Sequence, residues 1–273
     1  MLSEVPSITQ TVVRMFHART EASSAALQCA SVIVEVLAPK GTAEIGEFLS
    51  NLLLHSVQVL GAHAAAAQGS SFSAEGGRIF GYEPDCIEKF FRFVYAYLLA
   101  CPQILADCAA LPQLCHLCVL CFASCRESNP LRLILHVVQT MFSPSFKRVD
   151  LTTHAQLIAA CAVHGQVLVS QLLAIVAGVG AGVSSAIVPN VQDTLYSILT
   201  GCSPEHTETC KLWVFGAFRD IEPFGKLGEQ KQFVFDKMFL LAGDNRVRFK
   251  ALLGALGKVC SDEAGTECFA QYQ

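Results

Sequence analysis

The segment DCIEKFFRFVYAYLLACP, residues 85–102, has the pattern of an amphipathic helix. Its large apolar residues recur at intervals of three and four, which places them on one face of a helix. These residues are Ile87, Phe90, Phe91, Val94, Tyr97 and Leu98. Asp85 and Glu88 have the spacing of a capping box at the start of the helix, and Pro102 marks its end. The segment therefore predicts a helix with one buried face.

The same periodicity extends along most of the chain, and no segment shows the alternation that is typical of a strand. The helical segments pair at a step of about 40–47 residues, which is the period of HEAT-type repeats. The predicted pairs are 5–18 with 22–37, 43–62 with 85–101, 110–125 with 130–143, 152–177 with 190–201, and 205–218 with 228–243, followed by a terminal helix at 245–260. The sequence favours an all-α fold, a right-handed α-solenoid of HEAT-like antiparallel helix pairs. The alternative is a compact bundle of the same helices, because the repeats share no obvious consensus.

One segment interrupts the helical pattern. Residues 61–77, GAHAAAAQGSSFSAEGG, are small and polar and bury too little surface to order themselves. We therefore expect HEAT-like helices at 1–62, a flexible loop within the array at 63–84, a HEAT-like arch at 85–260 and a tail at 261–273.

Composition and charge limit the classes of function. Of 273 residues, 52% are hydrophobic and 15% are charged, which is ample core material for a folded chain. The formal net charge is −4, and the sequence contains no basic block, so direct nucleic-acid binding is not expected. The chain has 13 cysteines, and its first residues lack the pattern of a signal peptide. Both features predict a reducing compartment, in which most of the thiols are small buried residues.

The stretch CHLCVLCFASC, residues 115–125, has the cysteine spacing of a bacterial iron–sulfur site. A helix would place these cysteines in one stripe beside leucines and a phenylalanine, and would spread them over about 15 Å. Arg126 also stands where the iron–sulfur sequence has proline. For zinc, His116 lies among the cysteines, but no separated second pair of ligands completes a tetrahedron. We therefore favour a packing stripe, and expect no metal and no cofactor.

No pattern indicates catalysis. The motifs of serine hydrolases, zinc proteases, kinases and P-loop proteins are absent, and GVGAG at 178–182 lacks the third spaced glycine of a dinucleotide-binding loop. The acidic pairs at 205 and 208 and at 262 and 263 lie at helix ends or in the tail, where charges are solvated. The histidines are scattered along the chain at His17, His55, His63, His116, His136, His154, His164 and His206. We therefore expect no active site and no enzymatic activity.

The stretch VLVSQLLAIVAGVGAGVSSAIVP, residues 167–189, has the composition of a membrane span. No Asp, Glu, Lys or Arg occurs at 151–192, and about 20 apolar residues suffice to cross a bilayer. Three features argue against a span: the polar residue Gln171, the glycines at 178, 180 and 182, and the absence of flanking Lys or Arg. The glycines predict the end of one helix and a turn into the next near Ser185. We favour a buried repeat helix; the alternative is a membrane-anchored helical protein with a span at 167–188 and unknown activity.

Five segments, taken in order, carry a resemblance to a known family. They are EKFFRFVYAYLLACP, ALPQLCHLCV, HGQVLVSQLL, VPNVQDTLYSIL and EQKQFVFDKMFLLAGDNRVRFKALLGALGKV. The series resembles the C-terminal HEAT repeats of importin-β-type nuclear transport receptors (karyopherins), in the branch that holds transportin-SR and importin-thirteen. The similarity covers residues 85–260. Its most specific pieces are Gly165-Gln166, Leu168-Val169, Gln171-Leu172-Leu173 and Pro189 through Leu199.

This resemblance implies a receptor that carries protein cargo between cytoplasm and nucleus and loads or releases it with the GTP-bound small GTPase Ran. Stacked helix pairs suit this role because they form a long concave binding surface. Receptors of this class are much longer and bind Ran chiefly through N-terminal repeats, so we expect those contacts in repeats absent from this chain. Nucleoporins are a further class of partner that the resemblance implies. The helix that some members stud with arginines to hold phosphorylated Arg-Ser cargo corresponds to residues 23–37, which have no arginine and only Glu35 as a charge.

Overall fold

In a computed structural model of the chain, the described residues are 20–37, 50–58, 60–61, 84–143, 149–179, 183–201 and 204–272, together with Ser7, Thr11 and Arg14. These residues are almost entirely helical and include no strand, which confirms the predicted all-α class. Apart from its isolated residues, the predicted helix at 5–18 lies outside the described residues. The predicted loop at 63–84 also lies outside them, except for Pro84, which begins a helix.

The chain forms two compact units, residues 1–137 with 148–160 and residues 138–147 with 161–273. The described helices that lie wholly or mostly in the first unit are α1 (Thr20–Leu37), α2 (Pro84–Ala100), α3 (Pro102–Ala106), α4 (Leu111–Ser124), α5 (Ser128–Phe142) and α6 (Leu151–Ala162), and residues 50–58 and 60–61 are also helical. The described α-helices of the second unit are α7 (Gly165–Val176), α8 (Val188–Gly201), α9 (Pro204–Asp220), α10 (Gln230–Asp244) and α11 (Arg246–Cys260). Short 3₁₀ helices in the second unit span Ser185–Ile187, Glu222–Leu227 and Thr266–Tyr272.

In the first unit, helix α2 packs against α1 and α3. The six apolar residues that define its predicted face are all buried, which confirms the helix and its orientation. Its end is also confirmed, because Cys101 leaves the helical conformation and Pro102 begins the short helix α3. The apolar face of α1 meets this surface with Ala26, Leu27 and Val34 fully buried.

The predicted capping box at the start of α2 is wrong. The helix begins at Pro84, a residue favoured at the first helical position, so Asp85 lies inside the first turn. Its carboxylate accepts a hydrogen bond from the hydroxyl of Ser24 in α1. Glu88 accepts a hydrogen bond from Arg92 one turn later, at 3.0 Å, and does not reach back to the helix start. Asp85 therefore ties α2 to α1, and Glu88 stabilises the exposed face of α2.

In the second unit, helices that are one or two steps apart along the chain pack together. Helix α7 contacts α8 and α9, α8 contacts α9 and α10, and α10 contacts α11. Helix α11 also contacts α7 and α8. At one such contact the carbonyl oxygen of Val176 lies against Gly257, where a Cβ atom would come within 2.7 Å of that oxygen. The unit thus combines contacts between neighbouring helices with contacts from α11 back to α7 and α8.

The predicted single helix at 152–177 is wrong, because α6 ends at Ala162 and α7 begins at Gly165. His164 leaves the helical conformation at φ −104° and ψ 8°, and Gly165 lies directly beneath the indole of Trp213. Directly after this break, α7 packs against α9.

The predicted turn after α7 is confirmed where it is described. Helix α7 ends at Val176, Gly178 adopts a left-handed φ of +76°, and a 3₁₀ helix begins at Ser185 before α8. The hydroxyl of Ser184 accepts a hydrogen bond from the backbone N–H of Ala186 and caps this 3₁₀ helix. The segment 167–188, for which the sequence favours a buried repeat helix and leaves a membrane span as the alternative, is therefore not one continuous helix.

The residues assigned to a tail, 261–273, include structure that packs on the second unit. Within the 3₁₀ helix Thr266–Tyr272, the side chains of Phe269 and Tyr272 are buried. Lys226 links the preceding turn to the rest of the unit, since its ammonium donates to the Cys260 carbonyl and to the Asp262 carboxylate, each at 2.7 Å.

Candidate functional site

A cleft of about 380 Å³ opens on the surface of the second unit between α9 and the N-terminal part of α10. Phenylalanine side chains form its apolar walls. Phe215 and Phe218 come from α9, and Phe235 comes from α10. The ring of Phe235 meets the other two edge to face, with centroid distances of 6.3 Å to Phe215 and 6.2 Å to Phe218. We call this feature the α9–α10 cleft.

The packing of α9 on α7 turns Phe215 outward. Trp213, Val214 and Phe218 are buried, and the side-chain amide of Gln166 in α7 donates a hydrogen bond to the Trp213 carbonyl at 3.3 Å. These contacts fix the rotation of α9 about its axis. Phe215 therefore lies on the opposite face of the helix, where it is 55% exposed.

Exposed apolar surface extends beyond the cleft along both helices. Leu212 on α9, one turn before Phe215, is 67% exposed. Phe239 packs on Phe235 at a centroid distance of 5.2 Å and is only partly buried. Isolated exposed leucines are ordinary, but adjacent aromatic and aliphatic side chains around a concavity are typical of a surface that binds another molecule.

Charged and polar groups border the α9–α10 cleft. The guanidinium of Arg219 donates two hydrogen bonds to Asp220, at 2.6 and 3.1 Å, and these bonds lower the pKa of Asp220. Both side chains are largely exposed, so the pair contributes little to stability. Glu229 and Lys231 line the cleft where α10 begins. Lys231 forms no ion pair within the described part of the chain.

The cysteine run at 115–125 forms a buried stripe, which confirms the packing interpretation. Cys115, Cys118 and Cys121 lie within α4 and Cys125 follows its last residue, and all four side chains are buried. Burial raises the pKa of Cys118 and of Cys121, and it raises the pKa of Cys125 to about 11. Such thiols are protonated at neutral pH and are therefore poor nucleophiles and poor metal ligands.

Arg126, which departs from the iron–sulfur pattern, lies two residues after the end of α4 and caps it. Its guanidinium donates hydrogen bonds to the carbonyl oxygens of Ala123 and Cys125, at 2.8 and 3.0 Å. A cation at this position also interacts favourably with the negative end of the helix dipole. The described residues include no group of three or more His, Cys, Asp or Glu side chains that could hold a metal ion.

The helix that the family resemblance aligns with an arginine-rich cargo helix is α1. Its exposed face carries Val32, Glu35 and Val36, and the two valines are about half exposed. This surface is apolar and weakly acidic, so it offers no guanidinium group to a phosphorylated peptide.

Within the described residues, no single helix has the length and apolar character needed to cross a membrane. The pair α6 and α7 meets the criterion of length and composition only when its two bent helices are taken together.

The α9–α10 cleft was not predicted from the sequence. Its signal is present in α10, where the segment QFVFDKMF places phenylalanines at 233, 235 and 239. Val234, Met238 and Leu241 form the buried face of α10, so these three aromatic residues lie outside it. Helix α10 therefore carries more aromatic residues than its buried face needs. This excess is the sequence feature that indicates the cleft.

Comparison of the chain with models of protein families, with curated protein sequences and with solved structures gives no match.

Proposed function

We propose that the chain corresponds to the C-terminal HEAT repeats of an importin-β-type nuclear transport receptor and binds protein cargo for transport between cytoplasm and nucleus. In this proposal its helices form a right-handed α-solenoid of antiparallel pairs, and cargo loading or release depends on Ran. The observation that carries the proposal is the α9–α10 cleft, an exposed aromatic surface on a helical unit whose neighbouring helices pack in sequence. Such a surface suits a binding module.

The most specific pieces of the resemblance support the proposal because they fall on two consecutive packed helices. The segment 165–173 forms the start of α7, and the segment 189–199 forms most of α8. In α7, Leu168, Val169 and Leu172 are buried, so these shared residues act in helix packing. They support the repeat architecture, whereas partner selection depends on exposed residues such as Phe215.

The proposal is tested by nuclear-pore passage. The chain is fused to an inert fluorescent carrier that is too large to diffuse through the pore, and the fusion is added to permeabilised cells with cytosol and an energy source. We expect the fusion to accumulate in nuclei while the carrier alone stays outside. Exclusion of both proteins, under conditions in which an intact transport receptor carries the same carrier inside, would contradict the proposal.

Ran binding supplies a second measurement. The resemblance places the main Ran contacts in repeats that precede those matched here, so we expect the chain to bind GTP-loaded Ran much more weakly than a complete receptor does. Protein partners held by the chain should therefore remain bound when GTP-loaded Ran is added. Affinity for GTP-loaded Ran equal to that of a complete receptor would show that the chain does not correspond to the C-terminal repeats alone.

A further inference from the structure

We propose that the α9–α10 cleft binds a protein segment in which an aromatic residue is flanked by acidic residues. The aromatic side chain enters the cleft and packs against the rings of Phe215 and Phe235, and the acidic residues face Lys231 and Arg219. This inference deepens the proposed function, because it takes the cleft to be the partner surface of the transport module.

The apolar part of the cleft determines the anchor of the partner. A concavity of about 380 Å³ walled by three phenylalanines has room for one large side chain and its neighbours. Phe215 and Phe235 already meet edge to face, at an interplanar angle of 88°. An aromatic ring entering here would extend this geometry, which is the preferred arrangement of aromatic pairs.

The charges that line the cleft determine the flanking residues. Two cationic side chains, Arg219 and Lys231, and one anionic side chain, Glu229, line the cleft, and Asp220 beside it pairs with Arg219. Lys231 forms no ion pair within the described residues, and the pair of Arg219 with Asp220 is exposed, so it exchanges readily with another carboxylate.

The start of α10 adds to this preference. The cap residue Glu229 makes no side-chain hydrogen bond to the first turn, so the N–H groups of that turn remain uncapped by a side chain. The positive end of the helix dipole therefore reinforces the attraction of Lys231 for acidic groups. Together these features favour an acidic partner over a basic one.

Fluorescence anisotropy with three labelled twelve-residue peptides tests the inference on the full chain. The first peptide has a central phenylalanine between aspartates, the second has lysines in place of the aspartates, and the third has alanine in place of the phenylalanine. We expect the first to bind at least about tenfold more tightly than either of the others, a difference of about 1.4 kcal/mol. Added salt should weaken its binding, because exposed charges are screened.

Charge reversal on the protein gives the matched test. Lys231→Glu should weaken binding of the aspartate peptide about tenfold and should strengthen binding of the lysine peptide. The control is Lys237→Glu on the same helix, since the Lys237 ammonium lies over the Phe233 ring, 5.4 Å from its centroid, and does not line the cleft. That control should leave both affinities unchanged. Phe215→Ala, which removes a half-exposed ring, should weaken binding of the aspartate peptide while the far-ultraviolet circular dichroism spectrum of the protein remains unchanged.

Equal binding of the aspartate and lysine peptides, or no binding of either peptide by the folded chain, would overturn the inference. Equal effects of Lys231→Glu and Lys237→Glu would overturn it as well. Failure of nuclear-pore passage by a chain that binds the aspartate peptide would remove the transport function and leave the cleft assignment standing. Pore passage by a chain that does not bind the aspartate peptide would leave the transport function standing and remove the cleft assignment.

Discussion

The indole of Trp213 lies directly over Gly165, so closely that a Cβ atom at position 165 would overlap the six-membered ring of the indole. The contact joins the start of α7 to the middle of α9 and lies beside the break between α6 and α7. Gln166 strengthens the contact by donating to the Trp213 carbonyl and approaching Gly216. This junction sets the rotation of α9 and, through it, the exposure of Phe215.

Gly165→Ala should destabilise the protein by about 1–3 kcal/mol, the usual effect of overpacking, because the indole cannot retreat without disturbing α9. The free energy of unfolding, measured by urea denaturation, checks this expectation. The matched control is Gly254→Ala in α11, where a Cβ atom would meet nothing within 4 Å. That change should stabilise the protein by up to about 1 kcal/mol, since alanine favours a helix over glycine. Equal effects of the two substitutions would contradict the account of the junction.

The thiols should react in an order set by burial. Cys29 is exposed, whereas Cys118 and Cys121 are buried and have raised pKa values. In the native protein at pH 8, a thiol-specific reagent should label Cys29 within the first reaction phase. It should label Cys118 and Cys121 only when the protein unfolds, because the reactive thiolate is absent from the buried sites. Peptide mapping by mass spectrometry identifies the labelled residues, and rapid native labelling of Cys118 would contradict the packing stripe.

Anaerobic incubation with iron and sulfide gives a second test of the same stripe. A buried helical row of protonated thiols should acquire no stable visible absorption band of the iron–sulfur type. A band that is lost in the double variant Cys118→Ala with Cys121→Ala would show that these thiols can hold a cluster.

Asp150 should make the start of α6 sensitive to acid. One carboxylate oxygen accepts hydrogen bonds from the N–H groups of Thr152 and Thr153, each at 3.0 Å, and the other accepts from the Thr153 hydroxyl at 2.6 Å. The bonds to Thr153 lower the pKa of Asp150 from its usual value of 3.8. The stability that these hydrogen bonds contribute is therefore fully present above the unfolded-state pKa of Asp150. It is lost as pH falls through the lower folded-state pKa.

Asp150→Ala should accordingly lower the melting temperature at pH 7, and its difference from the unmodified protein should shrink as pH falls below 3.8. Thermal melts followed by circular dichroism check the result. Asp150→Asn is the control, since asparagine is also a good cap and carries no charge, so its effect should be smaller and less dependent on pH. A difference for Asp150→Ala that is constant from pH 7 to strongly acidic pH would contradict the role assigned to the carboxylate.

The proposed solenoid predicts an extended particle. A compact globular protein of 273 residues has a radius of gyration of about 19 Å. Small-angle X-ray scattering from the monomer should therefore give a clearly larger radius if the helix pairs form an open array. A value near about 19 Å would favour the compact bundle of the same helices.

The sequence predicts much of the helical structure because the strongest amphipathic patterns are local. In α2 the six residues of the predicted apolar face are all buried, and Pro102 marks the boundary as expected. The buried cysteine stripe of α4 follows from the same periodicity. The capping box fails because the helix already begins at Pro84, two residues before the first helical position that a cap at Asp85 requires.

The features that the sequence misses depend on contacts between distant residues. The break before α7 lies beside the contact of Trp213 with Gly165, residues 48 positions apart in the chain. The α9–α10 cleft depends on which faces of two helices meet the core, and α10 has apolar residues on more than one face. Periodicity locates such a helix but cannot choose its buried side.

The most direct test of the central claim is site-specific photo-crosslinking at the α9–α10 cleft. A photoreactive phenylalanine analogue replaces Phe215 in one protein and Val247, which is 78% exposed on α11, in a control. Each protein is irradiated in permeabilised cells supplied with cytosol, and the cross-linked partners are identified by mass spectrometry. The account predicts cross-links from position 215 to nuclear-destined proteins, at acidic segments that contain an aromatic residue, and few cross-links from position 247. Equal yields at the two positions, or partners at position 215 that include no nuclear-destined protein, would contradict it.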